Sequence, residues 1–266
     1  RIGDAVKRAA ADGMPALAVT DLCNLFGLVK FYTGARGKGV KPIVGADVWI
    51  SNPEAPDAAY RLLLLARNRV GYQQLCELLT KAYLVEGRRD RAEIRREWFA
   101  QLGCDGLIAL SGGHFGDVGD ALINGNFDLA GERAQAWETI FPGAFYLEVQ
   151  RYGQVQQEAI VQQTADLAGD LGLPLVATHP IQFMNPDDFQ AHEARVCIAE
   201  GYVLGDHRRP KIYTAEQYFK TQEEMATLFA DLPEALANSL EIAKRCNNEM
   251  TQGKNFLPNF PTPPGM

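Results

Sequence analysis

Short apolar runs rich in β-branched and aromatic residues recur along the chain: ALAVTD (16–21), KPIVGADVWI (41–50), RLLLLARN (61–68), GLIALSGG (106–113), AFYLEVQR (144–151) and LPLVATHP (173–180). Runs of this length bounded by Gly, Pro and Asn predict buried strands. Between most of them the apolar spacing lengthens to three and four, the period of an amphipathic helix. VKRAAADGM precedes the first strand, LVKFYTGARGKG separates the first two, VGYQQLCELLTKAYLVEG follows the third, and VQQEAIVQQTADLAGDLG lies between the last two. Gly13, Gly39 and Gly172 stand where these helices must stop before the next strand. Strands and helices alternating in this way predict an α/β fold, a parallel sheet closed or nearly closed into a βα barrel with helices outside. Six strands are visible, and a seventh or eighth is expected ahead of Arg1.

After Asp187 the rhythm changes. DDFQAHEARVCIAEG, TAEQYFKTQEEMATLFADL and PEALANSLEIAKRCN read as helices, with Asp187 or Asp188 and Thr214 as N-caps and Pro233 in a first turn. The close, NFLPNFPTPPGM, is Pro-rich and extended, as in a linker that continues into another domain. The expected organisation is a barrel over 1–186, a helical extension packed on it over 187–250, and a linker over 251–266.

Composition narrows the function classes only a little. A net charge of −7 over 266 residues gives no global basic footprint, so a polyanion would have to meet a local patch. Cys23, Cys76, Cys104, Cys197 and Cys246 are widely spaced with no CxxC pair, which fits reduced thiols and a cytoplasmic location. No run of 18 apolar residues exists, which excludes a helical membrane span. No signal peptide is visible, and the chain opens on Arg1 inside a helical pattern, so residues ahead of it are expected.

The chemistry-bearing residues are sparse. The histidines are His114, His179, His192 and His207, and none forms an HxH or HExxH pair. A metal site would be built mainly from carboxylates at strand ends: Asp21 after AVT, Asp47 in VGAD and Glu148 in YLEV, with His179 joining from the last strand. Acids at strand ends also cap helices or bind loop amides, so the pattern alone is not decisive. His114 follows LSGG, a turn that can offer amides to an anion but falls well short of a P-loop. His192 reads as a satisfied helix histidine, and HRRPK (207–211) as a short basic run, solvated unless it meets phosphate. With no GxSxG elbow, nucleophilic hydrolase chemistry has no support.

As an ordered set, GMPALAVTDLCNLFGLVKFY, GVKPIVGADVWI, LIALSGGHFGDVG, FYLEVQRYG, LPLVATHPIQF and LFADLPEALANSLEIAKRCN resemble the polymerase and histidinol phosphatase (PHP) domain of bacterial DNA polymerase III alpha subunits. The likeness covers essentially the whole chain. It implies a distorted (β/α)7 barrel of the PHP type with a C-terminal helical extension, and a first strand bearing HxH before Arg1. NFLPNFPTP resembles the join to a polymerase palm. The resemblance also implies a DNA polymerase as parent, with Mg²⁺ at a palm beyond residue 266, contact with DNA through that parent, and a proofreading exonuclease subunit as partner.

Metal-holding members of the family carry His, Asp, Glu and Cys at the strand ends, and this chain departs from that pattern. The family's TDH reads Thr20-Asp21-Leu22, its GxE reads Gly45-Ala46-Asp47, and its SGC reads Ser111-Gly112-Gly113. The histidine after ELQ is matched by Tyr152, and NDVH reads His179-Pro180-Ile181-Gln182. Of six ligand positions, five have lost usable donors and Asp47 is a shortened carboxylate. His179 falls one place early, on the wrong face of a strand unless Pro180 bulges it. The expectation is a vestigial pocket around Asp21, Leu22, Asp47, Gly113, Tyr152, Pro180 and Gln182, with His114 and His179 as residual polar groups and no metal. The segment would be a scaffold and docking platform, not an enzyme. The rival is a metal-dependent phosphoesterase, a 3′–5′ exonuclease or pyrophosphatase, which needs Asp21, Asp47, His114 and His179 to converge at the barrel mouth.

Overall fold

The computed structural model describes residues 1–85, 91–255 and 257. Its elements alternate as the hydrophobic pattern requires. Helix α1 (Ile2–Ala11) buries Val6 and Ala9 and gives way at Gly13, whose φ is +69°. Strand β1 (Ala16–Leu22) runs parallel to β2 (Lys41–Ile50), in register from Ala16↔Lys41 to Leu22↔Asp47, with α2 (Leu28–Arg36) between them. After β3 (Tyr60–Ala66) come α3 (Arg69–Leu84), β4 (Glu93–Ile94), α4 (Glu97–Leu102) and β5 (Leu107–Leu110). Then follow α5 (Asp117–Ile123), α6 (Phe127–Ile140), β6 (Phe145–Gln150), α7 (Gln157–Leu171) and β7 (Leu175–Thr178). Among the described residues the sheet has seven strands in the order β1-β2-β3-β5-β6-β7, with β4 on β2, and it curls into a half-barrel with helices against it.

One strand departs from the all-parallel expectation. Strand β3 is antiparallel to both β2 and β5. The reason is the connection: residues 51–59 hold no helix, and a parallel return needs a crossover of a dozen or more residues. The chain must turn back, and β2–β3 is a long-looped hairpin. Strand β4 and helices α4, α5 and α6 were not anticipated. Strand β4 pairs as Trp49↔Glu93 and Ile50↔Ile94, beside β2 where β1 has ended.

Beyond β7 the last helices are α8 (Phe189–Glu200), α9 (Gln222–Leu228) and α10 (Pro233–Arg245). Asp188 holds the N-cap position of α8, and Pro233 opens α10 as expected. Thr214 is not the cap of a long helix. Gln217 reaches back to its N–H at 2.9 Å, and one turn follows, but the Thr214 hydroxyl donates to the Tyr152 carbonyl and the chain goes on extended. Helix α9 starts only at the capping box of Thr221 with Glu224. Helix α10 places Ala235 and Ile242 in the same core as Phe145 and Leu175 of the sheet. The expected linker over 251–266 lies largely outside the described residues. Among the described residues no helix is long and apolar enough to cross a membrane.

Candidate functional site

Residues aligned across neighbouring strands share a face, and successive residues alternate between faces. Because Asp47 aligns with Leu22 and with Leu63, while Asp21 aligns with Ala46, Asp21 and Asp47 stand on opposite faces of the sheet. The expected pocket therefore does not gather Asp21 with Asp47. Its Oδ2 accepts from the Gly27 amide at 3.0 Å, tying the loop ahead of α2 to the end of β1.

The face of Asp47 carries the polar network. Trp49↔Arg61 is a register pair, so Arg61 lies on that face, one step along the hairpin from Asp47. It donates from Nε to Asp47 Oδ1 at 2.8 Å and from its terminal nitrogen to Oδ2, a two-pronged ion pair, while its guanidinium lies 4.6 Å from the centre of the Trp49 ring. Two strands away Glu148 is 3% exposed. Its Oε2 accepts from Gly112 N at 3.1 Å, and its Oε1 accepts from Gln150 Nε2 at 3.1 Å and from the Thr178 hydroxyl. Burial pushes the Glu148 carboxyl above the usual carboxylate range, the Asp47 charge pushes the same way, and the donors from Thr178, Gln150 and Gly112 hold it back.

The remaining predicted positions are engaged elsewhere. His114 Nε2 lies 2.8 Å from the Tyr152 hydroxyl. Burial lowers the histidine to about 4 and raises the phenol, so at neutral pH the phenol is a donor and the imidazole is uncharged. Gly113 has φ +56°, and a Cβ there would meet the Gln150 side chain. His179 Nε2 is 3.0 Å from the Glu216 carbonyl, and burial together with Lys220 lowers its pKa. The Pro180 carbonyl accepts from Gln217 Nε2 at 3.2 Å, and Gln182 N donates to the Gln217 carbonyl at 2.8 Å. Phe183 forms a lone bridge with Tyr218. Residues 212–220 thus strap across the ends of β6 and β7, and Tyr152, His179, Pro180 and Gln182 are its anchor points.

Asp21, Asp47, His114 and His179 do not converge. Among the described residues no group of three or more His, Cys, Asp or Glu is placed to hold a metal ion. The donors present do not fit a divalent-ion cluster, because both Asp47 oxygens serve Arg61 and both Glu148 oxygens serve neighbouring donors. Of the basic run 207–211, Arg209 pairs with buried Glu193 and Arg208 with Asp206 at 2.8 Å. His192 sits among Phe183, Tyr213 and Arg195. Sequence reading missed Arg61, Gln150, Thr178 and the strap. Only Arg61 left a signal, as a charged residue heading an otherwise apolar strand.

The histidine–tyrosine pair gives a testable pH dependence. Unfolded His114 takes up a proton near its ordinary value, whereas folded His114 resists until about 4. Its contribution to stability is full above about pH 6.5 and is lost as pH falls toward 4. His114→Phe is expected to flatten that part of the acid limb, measured as the urea midpoint between pH 7 and 4 against the parent chain. Parallel curves would show that His114 does not titrate as placed.

The PHP domain family profile matches residues 1–152. The chain belongs to the PHP domain family. It is 53% identical over 268 residues to the DNA polymerase III subunit alpha of Neisseria meningitidis serogroup A, covering 100% of this chain and 23% of that protein. To the subunit of the same name from Escherichia coli K12 it is 48% identical over 257 residues, covering 97% of this chain and 22% of that one. The chain thus spans less than a quarter of the length of these relatives. A solved amidohydrolase from Chromobacterium violaceum is 15% identical with a TM-score of 0.44, over 66% of this chain and 80% of that one.

Proposed function

We propose that the chain is the PHP domain of a replicative DNA polymerase III alpha subunit, with its metal site lost and its half-barrel kept as a scaffold that docks the proofreading exonuclease subunit. The parent is a DNA-directed DNA polymerase whose Mg²⁺-dependent palm follows in the same chain and meets the DNA. Similarity along the full chain to alpha subunits supports the parentage. The observation that carries the loss of metal is the Asp47–Arg61 pair: the carboxylate best placed to ligate already holds a side-chain cation with both oxygens.

The test uses the full-length polymerase subunit. Elemental analysis is expected to find no stoichiometric Zn²⁺ or Mn²⁺ attributable to this segment, and its phosphate release from phosphoesters is expected to stay at baseline with either ion. Pull-down of the exonuclease subunit is expected to fail when residues 1–266 are deleted. Bound metal, or phosphate release abolished by Asp47→Ala, would instead establish the phosphoesterase. Undiminished exonuclease capture would remove the docking role.

A further inference from the structure

Loss of metal ligands leaves an electrostatic problem that the structure answers with a side chain. A metal-holding barrel gathers carboxylates because divalent ions neutralise them. Here the ions' usual ligands are gone, yet Asp47 and Glu148 remain on the Asp47 face of the half-barrel, and the Asp47 charge acts on the buried Glu148. We propose that Arg61 is the built-in cation of this site, doing with a guanidinium what bound metal does in relatives that keep it. The inference rests on the reading that the metal site is lost.

Three features support it. The Arg61 fork meets both oxygens of Asp47, and a planar guanidinium is suited to that bidentate geometry as an ammonium is not. The guanidinium is braced against Trp49, whose ring also lies 5.0 Å from the Arg91 guanidinium. The Arg61 backbone then reaches the second carboxylate: its carbonyl abuts Gly112, the residue whose amide holds Glu148. One residue therefore neutralises one acid and supports the peptide that binds the other. The same charge would repel a divalent ion, so Arg61 both substitutes for metal and excludes it.

The experiment is a double-mutant cycle in the full-length subunit: parent, Arg61→Met, Asp47→Asn and the double variant, read by hydrogen exchange of peptides spanning 41–66. Arg61→Met alone is expected to speed exchange about tenfold, the size of the interaction between directly paired groups. Adding Asp47→Asn is expected to recover most of that loss. Additive losses overturn the proposal. If Arg61→Met does not accumulate folded, the double variant is expected to do so, and an equally unfolded double variant overturns it as well. Stoichiometric metal in the unmutated subunit defeats the underlying reading of metal loss. A metal-free parent with additive variants defeats only the role given to Arg61.

Discussion

Gly112→Ala is expected to lower the stability of this domain by about 3–5 kcal/mol, the range reached only when several mechanisms coincide. Gly112 has φ +78°, a left-handed conformation that costs an L-residue about 1–2 kcal/mol. A Cβ at this position would overlap the Arg61 carbonyl oxygen, which is backbone inside a paired strand and cannot swing aside. Moving the Gly112 peptide to relieve that overlap withdraws its amide from buried Glu148, leaving an acceptor short of a partner at about 1–3 kcal/mol. Urea denaturation of the variant checks the figure. Gly143→Ala provides the comparison, because Gly143 has φ +63° but nothing within 4 Å of its would-be Cβ. It should show the conformational penalty alone, about 1–2 kcal/mol. Equal losses at the two positions would mean that the Arg61–Gly112 contact is not the constraint described.

Trp137→Ala is expected to cost about 3–5 kcal/mol, at the upper end for a buried aromatic. The ring is almost wholly buried, meets Phe99 edge-on at 5.9 Å, lies 6.2 Å from Phe141, and has the Arg96 guanidinium 4.2 Å from its centre. Its Nε1–H donates to buried Asp117 at 2.9 Å. Truncation opens a cavity and also takes a donor from that carboxylate, so transfer, void and polar terms add. Trp137→Phe separates them. It keeps an aromatic ring in the core and removes the indole N–H with a smaller loss of volume, for an expected loss of about 1–3 kcal/mol by the same urea measurement. A Phe variant as unstable as the Ala variant would place most of the effect in the Asp117 bond.

The parts of the fold legible in the sequence were the continuous apolar runs and the helices of regular period. KPIVGADVWI and AFYLEVQR could only be strands, and VQQEAIVQQTADLAGDLG only a helix ended by Gly172, which has φ +65°. Helices α5 and α6 were obscured, since Gly116, Gly119, Gly125 and Gly131 interrupt their sequence. Thr214 misled for a specific reason: Thr221 repeats the same capping pattern seven positions later, and only tertiary contacts of Tyr152 and Phe183 select between them. At the site, residue types were readable but partners were not. The separation of Asp21 from Asp47 follows from β1–β2 register, which periodicity does not give. The Arg61–Asp47 pair required the reversal of β3, and that reversal follows from the helix-free loop over 51–59.

That reversal also bears on the order in which the domain assembles. Asp47 and Arg61 are 14 positions apart, whereas the bonds of Glu148 to Thr178 and to Gly112 span 30 and 36. Shorter loops close with less entropy loss, and hairpins form within microseconds, well ahead of pairings that need a crossover helix. The β2–β3 hairpin is therefore suited to form early, with Asp47 already neutralised by its own neighbour in the chain. The distant strands then dock against a surface whose Asp47 charge is already met from within the hairpin.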